Sequence, residues 1–288
     1  MINSNSFSAP QSTHYINSMK SIEDNYDIFL IDMVGVVYNE KEPLKGAIPA
    51  INRLLKKGKT LVLLTNNPRP FHIAQNKLEK IGFPKGLNIF TSGDGARIYI
   101  HRKYTGKKVF HLGQERNSDI LEGLDVEITD SINDCDYILI TLFIEEGDDP
   151  TIYNDTLFKI ASSGKEIICA NPDMFAFYGK SIRKTAGYFA NLIEQQGGEV
   201  TYIGKPNLLI YEELWKKYGF NTQQKSTTLM IGDTLGTDIK GAKAFQIDSF
   251  LVLTGNTGHE IKKSGKTKNE YIKQVQDAAP SFVSEAFS

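Results

Sequence analysis

The chain has 288 residues, 40% hydrophobic and 23% charged, a composition that buries a core and excludes a disordered or fibrous protein. Its 33 Lys and Arg against 34 Asp and Glu leave a net charge of −1, so no global basic field recruits nucleic acid or an acidic membrane, and small-molecule partners are favoured. Cys135 and Cys169 lack the spacing of a disulfide framework and read as buried thiols in a reducing cytosol.

Residues 1–23 are rich in Ser and Asn and lack the basic start and apolar stretch of a signal peptide, so they read as a flexible tail. No window approaches the roughly 20 apolar residues of a membrane span, and the chain reads as soluble and cytoplasmic. Short apolar runs then alternate with amphipathic stretches. Strands are expected at 27–32, 60–65, 88–91, 108–112, 137–143, 166–170, 200–204, 227–233 and 248–253. Helices fit between them. Over 48–58, Ile48, Ile51, Leu54 and Leu55 form one stripe closed by Gly58; over 71–82, Ile73, Leu78 and Ile81 repeat before Gly82 and Pro84. The alternation predicts an α/β fold, a doubly wound and mostly parallel sheet with helices on both faces.

Several of these strands end in chemistry. The first ends in Asp32, the second in Thr65 within TNNPRP; VTYIGKPN ends near Lys205, and LMIGDTLGTDIKGA carries Asp233 and Asp238. Ligands of open parallel sheets sit outside the carboxyl ends of the strands, so these residues are expected to serve one crevice. Phosphoryl transfer needs such a set: a carboxylate nucleophile, and a hydroxyl, backbone N–H groups, a lysine and a divalent cation to neutralise the phosphoryl oxygens. Mg²⁺, held by one or two carboxylates, suits Asp32 and Asp233.

The order Asp32, Thr65, Lys205, Asp233 with Asp238 resembles the haloacid-dehalogenase-like hydrolase superfamily from about residue 24 to 260. GDTLGTDIKGA is similar to its fourth motif almost letter for letter. The segments TSGD, HLGQER, CANPD and GGEVTYIGKP resemble the class II subgroup related to para-nitrophenyl phosphatases, whose α/β cap domain is inserted between Thr65 and Lys205. The resemblance implies a Rossmannoid core of 24–106 and 200–288 and a cap of 107–199. It implies Asp32 as nucleophile and metal ligand, the Val34 carbonyl as a second ligand, and Thr65 with the Asn66 N–H on the phosphoryl oxygens. Lys205 would steady nucleophile and phosphate, Asp233 would complete the magnesium shell, and Asp238 would act behind it. A small phosphorylated metabolite is the implied partner, and a homodimer stays open.

Val34 departs from the pattern. The family's phosphatases usually carry an aspartate there, which protonates the leaving oxygen and then activates water, although relatives with a large apolar residue exist; loss of such a group typically removes about 10² to 10⁴ in rate. Three readings follow: hydrolysis of esters needing little protonation or served by another acid, with Tyr38, His111 or Asp173 as candidates; a slowly hydrolysed phosphoenzyme that passes the group on; or a phospholigand-binding protein with little turnover. Intact Asp32, Lys205 and Asp233 favour chemistry.

Each residue also has a plainer reading. Asp32 is a strand-end cap, Thr65 a helix cap, Lys205 a surface residue, Asp233 and Asp238 turn formers, and Val34 ordinary packing. Asn171 and Asp173, in CANPD, read equally as substrate contacts or as a turn. Arg69 and Arg183 are weaker candidates for anchoring an anionic substrate. His101, His111 and the basic stretch at 261–273 read as packed or solvated surface.

Overall fold

The run IFLI folds as the strand Ile28–Ile31 and is buried along its whole length, because a parallel strand covered on both faces needs no polar alternation. The computed structural model describes residues 13–39, 41–178, 181–274 and 279–288. The chain divides into one unit of Met1–Asn39, Leu44–Leu61 and Gln223–Ser288, and another of Glu40–Pro43 and Val62–Thr222. In the first, the strands His14–Tyr15, Phe282–Ser284, Asp248–Val252, Thr228–Gly232 and Ile28–Ile31 lie side by side in that order, every pair parallel. Ile31 pairs with Ile231, and the Asp32 N–H donates to the Ile231 carbonyl at 2.8 Å. The two strands therefore end side by side within one residue of each other, one running into Asp32 and the other, through Gly232, into Asp233.

The helix Ala47–Lys56 follows the expected pattern with a shifted face. It buries Ala47, Ala50, Ile51 and Leu54, while Leu55 is 40% exposed, so small alanines rather than the flanking leucine share the buried face. Gly58 follows it at φ 71°, the left-handed conformation that only glycine adopts without strain.

The stretch read as a tail belongs to this unit from His14 onward. His14 and Tyr15 pair with Phe282 and Val283, Met19 is fully buried, and buried Glu23 is held by Arg53 at 3.0 Å and Lys57 at 2.9 Å. Composition misled there because serines and asparagines separate a few apolar anchors that do the packing. Residues 1–12 of that stretch lie outside the described residues.

The second unit pairs Val62–Thr65 with Asn88–Thr91 in parallel, ending on Thr65 opposite Thr91. The helix Ser92–Tyr104 starts there with a capping box: Thr91 Oγ1 accepts from the Asp94 N–H at 2.9 Å and Asp94 Oδ2 accepts from the Thr91 N–H at 3.0 Å. A separate five-stranded sheet has the order Val200–Tyr202, Glu166–Cys169, Tyr137–Ile140, Lys107–Leu112, Val126–Ile128, all parallel. Its alternate residues bury into different cores: Val109, Tyr137, Leu139 and Ile168 on one face, Ile138, Ile140, Ile167 and Cys169 on the other. The doubly wound α/β expectation thus holds: the strands at 60–65 and 88–91 fall as expected, that expected at 108–112 begins one residue earlier, and the others are trimmed by one to three residues at an end. The antiparallel pair Phe175–Tyr178 and Ser181–Lys184 was not expected. Among the described residues no helix is long and apolar enough to cross a membrane.

If the segment around Met19 is part of the core, Met19→Ala costs about 2–5 kcal/mol in urea unfolding, the range for truncating a buried methionine. A loss below about 0.5 kcal/mol, as at a surface site, would return the segment to the status of a tail.

Candidate active site

Adjacent strand ends bring acids together. Carboxylate oxygens of Asp32, Asp233 and Asp238 lie within 4.8 Å of one another, and the three side chains are 9%, 2% and 1% exposed. Like charges this close disfavour common ionisation unless donors or a cation offset them. Asp238 has its donors on the chain: its Oδ2 accepts from the Asp233 N–H at 3.2 Å and the Thr234 N–H at 3.1 Å, within a π-helical turn over Leu235–Ile239. It orients the turn that carries Asp233. Oxygen-only donors of this kind fit a hard cation such as Mg²⁺ or Ca²⁺ better than a softer metal, and Asp32 and Asp233 are the residues that could hold it.

Asp233 is gripped from a third strand end. Its Oδ2 accepts from the Asn256 N–H at 2.5 Å, its carbonyl accepts from the Thr257 N–H at 3.0 Å, and its Oδ1 accepts from the Thr234 hydroxyl at 3.2 Å. The carboxylate therefore sits at the N-terminus of the helix Asn256–Ser264, where the helix dipole favours negative charge. Two glycines leave room for it: a Cβ on Gly35 would stand 2.5 Å from Asp233 Oδ2, and one on Gly255 would stand 1.9 Å from it. Thr254 Oγ1 donates to the Gly35 carbonyl at 2.5 Å, tying the same segment to the loop after Asp32. Thr234 and Thr254–Asn256 were not singled out in the sequence. The available signal was that FLVLTGN, like the strands already marked, passes directly from an apolar run into polar residues.

The second unit collects a different set. Asn66 clamps the main chain of Lys205, accepting from its N–H at 2.7 Å and donating to its carbonyl at 2.9 Å, and also donates to Asp173 Oδ1 at 2.8 Å. Lys205 is no surface residue; it is 2% exposed, and its Nζ donates to the Leu64 carbonyl at 2.9 Å. A buried ammonium favours a nearby anion. Thr65 is buried beside Asn66, and its Oγ1 accepts from the Asn67 N–H at 3.3 Å. Asn171 accepts from the Asp173 N–H at 3.0 Å, the turn reading, while Asp173 reaches Asn66.

Other expectations are corrected. Arg69 binds Asp119 at 2.8 Å and Arg183 binds Glu145 at 2.7 Å, so each guanidinium is committed to a carboxylate rather than waiting for a substrate anion. Val34 is 45% exposed and is not core packing. His111, a candidate acid, bonds Thr141 Oγ1 at 2.7 Å, and burial pushes its pKa down to about 4, so it is neutral at pH 7 and holds no imidazolium proton to give. Tyr38 is buried near Asp32; burial and that charge push its hydroxyl up to about 12, so it keeps its proton at neutral pH. His101 and the lysines at 262–268 are exposed, as their plain reading expects.

Residues 29–127 match the family model described as haloacid dehalogenase-like hydrolase, and residues 202–278 match one described as HAD-hydrolase-like. The chain is 28% identical over 233 residues to the sugar-phosphatase AraL of Bacillus subtilis, covering 79% of this chain and 83% of AraL. It is 26% identical over 231 residues to the ribonucleotide monophosphatase NagD of Escherichia coli, covering 78% and 87%. The crystal structure of a haloacid dehalogenase-like hydrolase from Brucella suis superposes with a TM-score of 0.80 at 30% identity, covering 95% of this chain and all of that one.

The depressed pKa of His111 carries a pH signature. The native state stays neutral down to about pH 4, whereas the unfolded histidine takes up a proton near 6.5, so this group's contribution to stability is full above pH 6.5 and is lost as the pH falls toward 4. Its ring Cε1–H resonance should titrate near 4 by NMR; a midpoint near 6.5 would contradict the buried environment.

Proposed function

Because this chain belongs to the haloacid dehalogenase-like hydrolase family, we propose that it is a magnesium-dependent hydrolase of small phosphomonoesters acting through an aspartyl phosphate. The observation that carries the reading is the acid cluster: oxygens of Asp32, Asp233 and Asp238 within 4.8 Å, all on strand ends or the turn after them. The names of its relatives, a sugar-phosphatase and a ribonucleotide monophosphatase, support the substrate class. Residues 107–199 would form the cap, and the protein would work in the cytoplasm.

Asp32 attacks the phosphorus, the ester oxygen leaves as an alcohol with a proton, and water then cleaves the acyl phosphate to release inorganic phosphate and restore Asp32. Thr65 and the Asn66 N–H receive the phosphoryl oxygens. The Asn66 side chain, already spent on Lys205 and Asp173, leaves that task to the main chain. Lys205 offsets charge on nucleophile and phosphate. Asp32, the Val34 carbonyl and Asp233 would hold Mg²⁺, which supplies further charge neutralisation on the phosphoryl group. Asp238 keeps Asp233 in place.

An exposed valine where the family resemblance implies an acid supports slow turnover, either as a lingering phosphoenzyme or as near-pure phospholigand binding. Tyr38, protonated and under the influence of Asp32, is a candidate donor for the leaving oxygen beside Asp173, and its high pKa makes it a weak acid, in keeping with slow turnover.

A panel of sugar phosphates, nucleoside monophosphates and glycerol phosphates assayed with and without Mg²⁺ tests this. Hydrolysis should require the metal, vanish in Asp32→Asn, and rise about 10²-fold or more in Val34→Asp. Tight phospholigand binding with no turnover by either the wild type or Val34→Asp would leave the protein a binder.

A further inference from the structure

The segment Thr254–Thr257 touches both acid-bearing loops yet has no part in the chemistry described so far. Thr254 Oγ1 donates to the Gly35 carbonyl at 2.5 Å, and the Asn256 N–H donates to Asp233 Oδ2 at 2.5 Å. The Asn256 side chain adds a second route. Its Nδ2 donates to Thr234 Oγ1 at 2.8 Å, and that hydroxyl, its lone pair so engaged, donates its own proton to Asp233 Oδ1 at 3.2 Å. One residue thus reaches both oxygens of the same carboxylate, one directly through its amide and one through a threonine relay.

We propose that Asn256 is a positioning residue for metal binding: acting through Thr234, it fixes the rotation of the Asp233 carboxylate. This rests on the magnesium reading above. The physical reason is geometric. Mg²⁺ demands near-octahedral ligation and tolerates misaligned oxygens poorly. A carboxylate held on one oxygen alone can swing about its Cβ–Cγ bond. Donors on both oxygens remove that freedom, and partners behind a metal ligand typically contribute about 10–100-fold in affinity. The glycines at 35 and 255 agree with this arrangement, since a Cβ at either would meet the carboxylate that the network aims.

The test is calorimetric Mg²⁺ binding to the full chain without substrate, which reads the metal and not turnover. Asn256→Ala, which keeps the main-chain donor, should weaken Mg²⁺ binding about 10–100-fold, as should Thr234→Val. Thr234→Ser keeps the hydroxyl and should bind as the wild type does. In the double variant Asn256→Ala/Thr234→Val the two losses should not multiply, because both cut one relay. Urea midpoints of the metal-free proteins report whether each variant folds. The proposal is overturned if folded Asn256→Ala binds Mg²⁺ within about two-fold of the wild type, or if the losses multiply. A wild type that binds no Mg²⁺ would overturn the magnesium reading and this proposal with it, an outcome distinguishable from the other two.

Discussion

Three carboxylates held within 4.8 Å and shielded from water repel one another, and the architecture of the first unit is arranged around that repulsion. The parallel register of Ile28–Ile31 against Thr228–Gly232 favours the crowding, since it brings Asp32 and Asp233 to adjacent strand ends one residue apart in height. Part of the charge is offset within the chain. Asp238 faces two main-chain N–H groups, and Asp233 faces a helix N-terminus and a threonine hydroxyl. The remainder is what a divalent cation would neutralise under the proposed function. The same arrangement explains the glycines: backbone must approach Asp233 from two sides, and a side chain at position 35 or 255 would displace the carboxylate.

The second unit solves the opposite problem, a buried cation. Lys205 loses hydration when its side chain is only 2% exposed, and its ammonium is met by the Leu64 carbonyl while Asn66 locks its main chain. Under the proposed function, an ammonium held this way would meet an arriving phosphate dianion with charge that needs little reorganisation. In this chain the amide of Asn66 acts first as architecture.

What could be read in the sequence was local and periodic. Buried parallel strands are continuous apolar runs, so IFLI and TLMIG declared themselves, and the acids that follow them were visible as interruptions. What could not be read depends on partners far along the chain. Arg69 and Asp119 are 50 residues apart, Arg183 and Glu145 are 38 apart, and nothing in the neighbourhood of either arginine announces its carboxylate. Thr254 and Asn256 were passed over because small polar residues at a strand end look like any loop until the fold lays them against Gly35 and Asp233. The segment His14–Asn25 was hidden for a compositional reason, its few buried side chains being diluted by serine and asparagine.

The central claim is that Asp32 and Asp233 share one divalent cation. Anomalous diffraction from crystals soaked in Mn²⁺, which stands in for Mg²⁺ at oxygen sites, measures this directly. One peak within coordination distance of an oxygen from each carboxylate, lost in Asp233→Asn, is the expected result. A peak bound to only one of the two, or two separate peaks, would contradict the account.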